Sequence, residues 1–217
     1  MAAEVKGYQL AICFGPNGCP NRTMQSQALV ERLEHVLKAA DLLGFLKTQV
    51  SGDLKFHHEF RVTVAECPNA CSQPQIKDVG ILGACLPAIT DSECTHCEAC
   101  VAVCPESAVA LDDAAPTPVI DGQRCIACGK CVTACPTQTL VAGQTGYWVQ
   151  LGGKLGRHPR LATELPGIYD EDGVIKIVQD CVDFYKAKSR NGKRFAELLS
   201  EADIEAYGKT GRFPDES

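Results

Sequence analysis

The sequence predicts an α+β protein in which a mixed sheet flanked by helices is interrupted by a small cysteine-rich insert. Two observations predict the sheet and its helices: short apolar runs typical of strands and longer amphipathic runs typical of helices occur along the chain. A third observation predicts the insert, because eight of the 14 cysteines fall between residues 88 and 142 in two similar segments. A chain of 217 residues is long enough for one sizeable core and one small module.

Four short runs predict the strands outside the insert. They are rich in apolar residues, and in the second of them Phe60, Val62 and Val64 alternate with polar residues, as in a half-buried strand. The first and second runs lead to Cys13 and Cys67, which places both cysteines at strand ends. The four runs are residues 9–13, 60–64, 75–82 and 147–151.

Three runs predict helices outside the insert. Apolar residues at helical spacing from Met24 to Leu46 predict one amphipathic helix, with Asn21 or Thr23 as its N-cap. A second apolar stripe predicts a helix over residues 173–188. A short last helix is predicted over residues 195–200, followed by a polar tail that we expect to be partly disordered.

The two segments of the insert share one cysteine spacing. Each reads C-x2-C-x2-C-x3-C-P, with CTHCEACVAVCP starting at Cys94 and CIACGKCVTACP starting at Cys125. Bacterial-type iron–sulfur clusters impose this spacing, and the fourth cysteine of each motif ligates the other cluster. The motifs therefore predict two 4Fe–4S clusters with crossed ligands: Cys94, Cys97, Cys100 and Cys135 for one, and Cys125, Cys128, Cys131 and Cys104 for the other.

The internal repeat predicts a two-cluster ferredoxin domain over residues 88–142, with short strands at 109–111 and 119–120. Zinc is an alternative ligand of paired C-x2-C motifs, but the third cysteine, the x3 step and the proline fit zinc poorly. A disulfide framework would need an oxidising compartment, for which the sequence carries no address.

Six cysteines lie outside these motifs. Cys13 and Cys19 form C-x5-C, and Cys67 and Cys71 form C-x3-C, each pair following a predicted strand. Strand ends that meet at one sheet edge could bring these four thiolates together as a third metal centre. The alternative is four buried structural cysteines, or an oxidised C-x3-C pair. Cys181 lies on the apolar stripe of its helix, so we expect a core residue, and we expect the same of Cys85.

Four further segments resemble the sirohaem-containing sulfite and nitrite reductase family. They are the C-x5-C pair, ECPNACSQPQIKDVGILG (66–83), VQLGGKLGRHPRLA (149–162) and RFAELL (194–199). A ferredoxin module inserted between the cysteine motif and the glycine-rich loop is similar to dissimilatory sulfite reductase subunits. The resemblance implies a discontinuous nitrite/sulfite reductase 4Fe–4S/sirohaem-type domain over residues 1–87 and 143–217, around the ferredoxin domain.

The resemblance also implies ligands for a third 4Fe–4S cluster and for sirohaem. The third cluster would be held by Cys13, Cys19, Cys67 and Cys71, with Cys71 bridging to the sirohaem iron. Sirohaem is a polycarboxylate, so its pocket needs cations and close backbone approach, which the GGKLGRHPR loop offers. The cofactor-binding candidates are Cys71, Asn69, Lys154, Arg157, His158 and Arg160. A solvated basic loop is the alternative for the last four. No catalytic residue can be assigned.

Two functions follow from different classes. The first is a sulfite reductase, or a subunit of one, in which clusters and sirohaem pass electrons to sulfite for its six-electron reduction to sulfide, with nitrite as the alternative substrate. The second is an electron-transfer protein without sirohaem. The expected partners are an electron-donor protein, a small inorganic anion, and a second copy or another reductase subunit that completes the haem pocket, since only one repeat of the family pattern is present.

Net charge and hydropathy exclude two classes of partner, nucleic acids and membranes. A net charge of -6 argues against nucleic acid, because phosphate binding needs a basic face. No stretch approaches the roughly 20 apolar residues that cross a bilayer. The first residues, MAAEVKGYQLAICFG, lack the basic region and cleavage site of a signal peptide. The sequence thus predicts a cytoplasmic protein that does not bind membranes, and its oxygen-labile clusters suit an anaerobic setting.

Overall fold

The computed structural model describes residues 5–112 and 116–214. Five of its strands form a mixed sheet in the order β1-β2-β3-β6-β7, and the other two form a separate hairpin. The first three strands of the sheet are parallel, and the last two run antiparallel to their neighbours. The strands are β1 (Tyr8–Ile12), β2 (Phe60–Ala65), β3 (Val79–Ile89), β4 (Val109–Ala110), β5 (Val119–Ile120), β6 (Leu140–Leu151) and β7 (Thr163–Glu164).

Helices pack on one face of this sheet. Alternate strand residues such as Val62, Ile81 and Val149 are buried in a single core with residues of the long helices, because successive strand side chains point to opposite faces. This architecture confirms the predicted α+β class with a mixed sheet flanked by helices. The helices are α1 (Gln27–Ala39), α2 (Leu42–Gln49), α3 (Ala99–Ala102), α4 (Lys130–Ala134), α5 (Glu171–Lys188), α6 (Phe195–Leu198) and α7 (Glu201–Thr210).

The single helix predicted from Met24 to Leu46 is wrong in two respects. The chain breaks at Asp41, whose backbone is left-handed (φ 45°) and whose side chain accepts the Gly44 N–H at the start of α2. The N-cap of α1 is Ser26, not Asn21 or Thr23. The N–H groups of Thr23 and Met24 both donate to the Glu66 carbonyl, at 2.8 and 3.0 Å, which keeps this segment out of the helix.

The polar tail also differs from the prediction, since α7 forms where we expected partial disorder. Ser200 and Asp203 make a reciprocal capping box at its start. Ile204 and Tyr207 are buried against the core, and the Tyr207 hydroxyl donates to Asp180 at 2.6 Å. The S-x-x-D pattern and two apolar residues three apart were the available sequence signals.

Strands β3 and β6 are much longer than predicted and extend beyond the five-stranded sheet. They pair continuously from Val79 opposite Leu151 to Ile89 opposite Leu140, apart from one register shift after Cys85. Residues 90–139, which we call the cysteine-rich segment, connect their far ends. Cys100, Val109 and Cys131 of this segment form a small core with Leu140, the first residue of β6.

The segment that follows β2 lies across the face of the sheet opposite the helices. The Ser72 hydroxyl donates to the Val64 carbonyl at 3.0 Å, and Pro74 lies directly over Gly80 in β3. A side chain at Gly80 would have its Cβ 2.5 Å from the Pro74 carbonyl oxygen, so only glycine permits this approach. The chain after Cys71 is therefore held flat against the sheet.

Within the described ranges, no helix combines the length and apolar content needed to cross a bilayer.

Candidate metal centres

The cysteine-rich segment repeats its backbone conformation with an offset of one motif. His96 and Ala127 have left-handed backbones (φ 51° each), and so do Glu98 (φ 59°) and Gly129 (φ 69°). Non-glycine residues adopt this region rarely and at an energetic cost. Left-handed residues at equivalent positions therefore indicate that both loops have the same constrained conformation. In each motif the first two cysteines lie in the loop, and the third lies in the short helix that follows, Cys100 in α3 and Cys131 in α4.

Two cavities lie inside these curled loops. The cysteines of the first cavity come from both motifs, with three from the first and one from the end of the second: Cys94, Cys97, Cys100 and Cys135. The cysteines of the second cavity show the reverse arrangement: Cys125, Cys128, Cys131 and Cys104. The structure thus brings together the two crossed sets that the motif spacing predicts.

Backbone N–H groups point at several of these sulfurs. Cys94 Sγ accepts from His96 N–H at 3.4 Å, and Cys104 Sγ accepts from Ala108 N–H at 3.2 Å. Burial opposes ionisation of Cys135, but hydrogen bonds from Leu140 N–H and from Thr137 outweigh it and lower the pKa of this thiol. Donors of this kind stabilise thiolates, which is the form that binds metal.

Burial acts the other way on the inner cysteines of these motifs. It raises the pKa of Cys100, and it raises the pKa of Cys131 to about 11. A buried thiolate needs a compensating positive charge, and bound metal ions supply one. These two sulfurs therefore fit metal ligands better than free thiolates.

The four strand-end cysteines, Cys13, Cys19, Cys67 and Cys71, meet at one edge of the sheet. Cys13 and Cys67 follow the neighbouring parallel strands β1 and β2, and Cys13 N–H donates to the Val64 carbonyl at 2.9 Å. Cys13 Sγ accepts from the N–H groups of Gly15 (3.4 Å) and Glu66 (3.3 Å).

The surroundings of Cys67 include the other three sulfurs. Burial raises the pKa of Cys67 and a hydrogen bond from the Asn69 N–H lowers it, while the nearby sulfurs of Cys13, Cys19 and Cys71 raise it. Cys71 is exposed, and its Sγ accepts from the Asn69 side-chain amide at 3.0 Å. Within this group, Cys71 therefore faces solvent whereas Cys67 is buried.

The described residues do not form a compact site for a single metal ion. A tetrahedral zinc site with Zn–S bonds of about 2.3 Å brings its sulfurs within about 3.8 Å of one another. In residues 5–112 and 116–214, no three His, Cys, Asp or Glu side chains are grouped to hold a single metal ion. A 4Fe–4S cluster binds each thiolate at a different iron and suits wider groups. All 14 cysteines are free of disulfides.

A further cavity joins the strand-end cysteines to the cysteine-rich segment. Cys67 and Asn69 line it on one side, and Cys128 and Lys130 line it on the other. The Thr23 hydroxyl donates to the Cys128 carbonyl at 3.2 Å across the same boundary. No local pattern indicates this role for Thr23, which the sequence suggests as a helix cap.

The two remaining cysteines have different surroundings. Cys181 is fully buried in the core of α5, and this burial raises the pKa of its thiol far above normal, as expected for a structural residue. Cys85 is also buried, but its N–H donates to the Ala127 carbonyl at 2.7 Å. A Cβ at Gly129 would stand 3.1 Å from the Cys85 sulfur, so Cys85 packs behind the second motif.

The glycine-rich basic loop forms a small hairpin beside the chain that follows Cys71. Lys154 and Arg160 exchange backbone hydrogen bonds of 2.9 and 3.0 Å, which leaves Arg157 and His158 exposed at its tip. At the base of the loop, Gly153 N–H donates to the Lys77 carbonyl at 2.8 Å. The basic loop is thereby fixed to the chain that follows Cys71.

Arg160 anchors this loop to the end of the chain. Its guanidinium donates to the backbone carbonyls of Gly152 (2.9 Å), Leu199 (2.9 Å) and Ala196 (3.0 Å). A Cβ at Gly152 would clash with the guanidinium, so this glycine makes room for it. These contacts favour a structural role for Arg160 over the predicted cofactor contact. The same contacts do not engage the side chains of Lys154, Arg157 and His158, which stay candidates for binding an anion.

A family model described as the nitrite and sulphite reductase 4Fe-4S domain matches residues 8–210. The chain is 35% identical over 154 residues to the coenzyme F420-dependent sulfite reductase of Methanocaldococcus jannaschii, which covers 70% of this chain and 24% of that protein. It is 28% identical over 105 residues to a subunit of the anaerobic sulfite reductase of Salmonella typhimurium, covering 48% of this chain and 26% of that relative. The chain therefore spans about a quarter of the length of these relatives.

The fold is similar to that of dissimilatory sulfite reductase I, whose crystal structure aligns with a TM-score of 0.61 at 16% identity. The alignment covers 95% of this chain and 52% of that one. At this identity, the similarity shows a shared fold.

Proposed function

The chain belongs to the nitrite and sulphite reductase 4Fe-4S domain family, and from this premise we propose that it is the part of a sulfite reductase that holds three 4Fe–4S clusters and one side of a sirohaem site. Two of the clusters belong to a ferredoxin domain at residues 88–142, inserted into a reductase-type domain made of residues 1–87 and 143–217. When bound, the clusters supply one-electron transfer, and the sirohaem supplies the centre for substrate reduction.

The crossed cavities support the two ferredoxin-type clusters. Each is lined by four cysteines drawn from both motifs, as the ligand rule for two-cluster ferredoxins requires. The loops around them carry left-handed residues at equivalent places and direct N–H groups at sulfurs. Hydrogen bonds to cluster sulfurs and solvent exposure are the means by which a protein sets cluster potentials.

The strand-end cysteines support the third cluster. The sulfurs of Cys13, Cys19 and Cys71 all act on the pKa of Cys67, and none of the four cysteines is in a disulfide. The cavity between Cys67 and Cys128 places this group next to the second cavity of the cysteine-rich segment. The cysteines that would receive electrons from the ferredoxin domain are thus its immediate neighbours.

The exposure of Cys71 supports the sirohaem site, and it is the observation that carries the reductase function. Among the strand-end cysteines, Cys71 is the exposed one, as a thiolate shared with an external cofactor must be. The basic hairpin with Lys154, Arg157 and His158 is hydrogen-bonded to the segment that follows Cys71. Cationic side chains there would bind the carboxylates of sirohaem.

Sulfite is the proposed substrate because the matched relatives are named sulfite reductases. The basic hairpin offers attraction for an anion, and in this proposal it would form one wall of a haem pocket. A second copy of the chain or another reductase subunit would supply the rest, and a protein electron donor would meet the cysteine-rich segment. The Salmonella relative is itself named as one subunit of its reductase.

The second candidate is an electron-transfer protein with the same clusters and no sirohaem. The two crossed cysteine cavities favour this candidate as well, because electron transfer between clusters needs no haem. An absorption spectrum of anaerobically purified protein separates the two, because sirohaem adds a Soret band and red bands that clusters lack. A spectrum with these bands and sulfite reduction with a chemically reduced dye as donor would support the reductase. Cluster absorption alone, after reconstitution with sirohaem and with the candidate partner subunit, would favour the carrier.

A further inference from the structure

Glu66, the residue before Cys67, connects several chain segments around the strand-end cysteines, although the cysteine spacing assigns it no role as a ligand. It is 2% exposed. Its N–H donates to Cys13 Sγ at 3.3 Å, and its carbonyl accepts from Thr23 and Met24. One backbone unit thus connects both cysteine pairs with the chain that leads into α1.

The Glu66 side chain extends this connection to the start of α1. Its Oε1 accepts from the Ser26 N–H at 2.8 Å and from the Ser26 hydroxyl at 2.9 Å. Ser26 is the N-cap of α1 but makes no side-chain cap of its own. A carboxylate at a helix N-terminus is favoured by the helix dipole, so the start of α1 is a suitable place for the Glu66 side chain.

The other carboxylate oxygen lies against the turn of the C-x5-C pair. A Cβ at Gly15 would clash with Glu66 Oε2, and Gly15 does not have a positive φ. Space for the carboxylate therefore explains the glycine. Oε2 is buried and has no hydrogen-bond partner among the described residues. The Gly15 N–H is directed at Cys13 Sγ instead, at 3.4 Å.

We infer that Glu66 is a positioning residue for the third cluster, which holds the loops of Cys13 and Cys67 together and places a fixed negative charge beside them. This inference rests on the proposed third cluster. A buried negative charge near a cluster disfavours the added electron, since net charge is one of the determinants of cluster potential. Glu66 therefore lowers the reduction potential of that cluster relative to a neutral residue.

Glu66→Gln tests this inference because it keeps the size of the side chain and removes its charge. The matched control is Glu59→Gln at the opposite end of β2, where Glu59 is also buried (5% exposed) and accepts from Lys6 N–H, Gly7 N–H and the Gln9 amide. Redox titration followed by electron paramagnetic resonance should show the third cluster easier to reduce in Glu66→Gln. A tenfold change in its reduction equilibrium is a positive shift of about 59 mV for one electron.

Ser26→Ala provides a second variant that retains the carboxylate and the Ser26 N–H bond. It removes one donor that compensates the charge, so the shift should be smaller and negative. Opposite signs for Glu66→Gln and Ser26→Ala, with Glu59→Gln unchanged, would support the inference. A third-cluster potential that stays at the wild-type value in Ser26→Ala, and in Glu66→Gln where that variant folds, would overturn it. Wild-type protein without a third cluster signal would instead reject the proposed function on which the inference rests.

Discussion

The Thr23 hydroxyl donates to the carbonyl oxygen of Cys128 at 3.2 Å, across 105 residues of sequence. This bond joins the loop after the C-x5-C pair to the second cysteine motif. Together with the bond from Cys85 N–H to the Ala127 carbonyl, it holds the cysteine-rich segment against the sheet. In the proposed function, the ferredoxin domain is therefore a fixed neighbour of the third cluster and not a tethered mobile carrier.

Thr23→Val should loosen this contact without removing any cluster ligand. The valine keeps the shape of threonine but leaves the Cys128 carbonyl without its donor, which should cost about 0.5–1.5 kcal/mol of unfolding free energy. Iron content should stay the same, while magnetic coupling between reduced clusters in electron paramagnetic resonance should weaken. Thr48→Val is the control, because the Thr48 hydroxyl bonds to the Phe45 carbonyl on exposed α2. Equal behaviour of both variants would contradict a fixed docking of the segment.

Cys135→Ser should damage the cluster of the first motif, although Cys135 belongs to the second. Cys135 lines the same cavity as Cys94, so Cys135→Ser and Cys94→Ser should remove the same spectroscopic component. Cys104→Ser should instead match Cys125→Ser. Mössbauer spectra of the four variants provide the comparison. If Cys135→Ser matched Cys125→Ser, the crossed ligation would be wrong.

Cys71→Ser should perturb one cluster and release the haem. Cys71 is exposed and would carry the bridging thiolate, so its loss should weaken sirohaem retention while the two ferredoxin-type spectra persist. Haem content after gel filtration and the cluster spectra measure these effects separately. Cys128→Ser should do the opposite, damaging a ferredoxin-type cluster with the haem retained. Unchanged iron and haem in Cys71→Ser would favour the electron-carrier function.

Cys181→Ser should reduce stability without changing metal content. Cys181 is fully buried among apolar side chains of the core, and a hydroxyl placed there without a partner costs about 1–3 kcal/mol. Denaturant unfolding of the anaerobic protein measures the loss, and iron analysis provides the control. A loss of iron in this variant would show that Cys181 is not merely structural.

The sequence predicts the local chemistry of the site better than the contacts between residues that are far apart in the chain. Motif spacing is enough to group the cysteines of the two cavities, because a tight loop fixes three of them at once. The basic loop is different, since nothing near Arg160 indicates that its guanidinium would bind carbonyls of residues 196 and 199. Glu66 reads as an ordinary polar residue before a cysteine, and its role emerges only when β2 meets the start of α1.

The fold shows the same division between local and distant causes. The periodicity of α5 and the alternation of β2 are local, so both elements are predicted well. The break at Asp41 is not predicted from the local pattern, because it depends on a single left-handed residue inside an otherwise continuous apolar stripe. The extension of β3 and β6 depends on their pairing with each other, which no single-strand pattern reveals.

Iron and acid-labile sulfide per chain test the central proposal most directly. Anaerobically reconstituted wild-type protein should contain roughly twelve irons and as many sulfides, since each 4Fe–4S cluster contributes four of each. Cys67→Ser, which removes the buried ligand of the third group, should fall to about eight. Roughly twelve in the wild type and eight in the variant is the predicted result. About eight in both proteins would contradict a third cluster at Cys13, Cys19, Cys67 and Cys71.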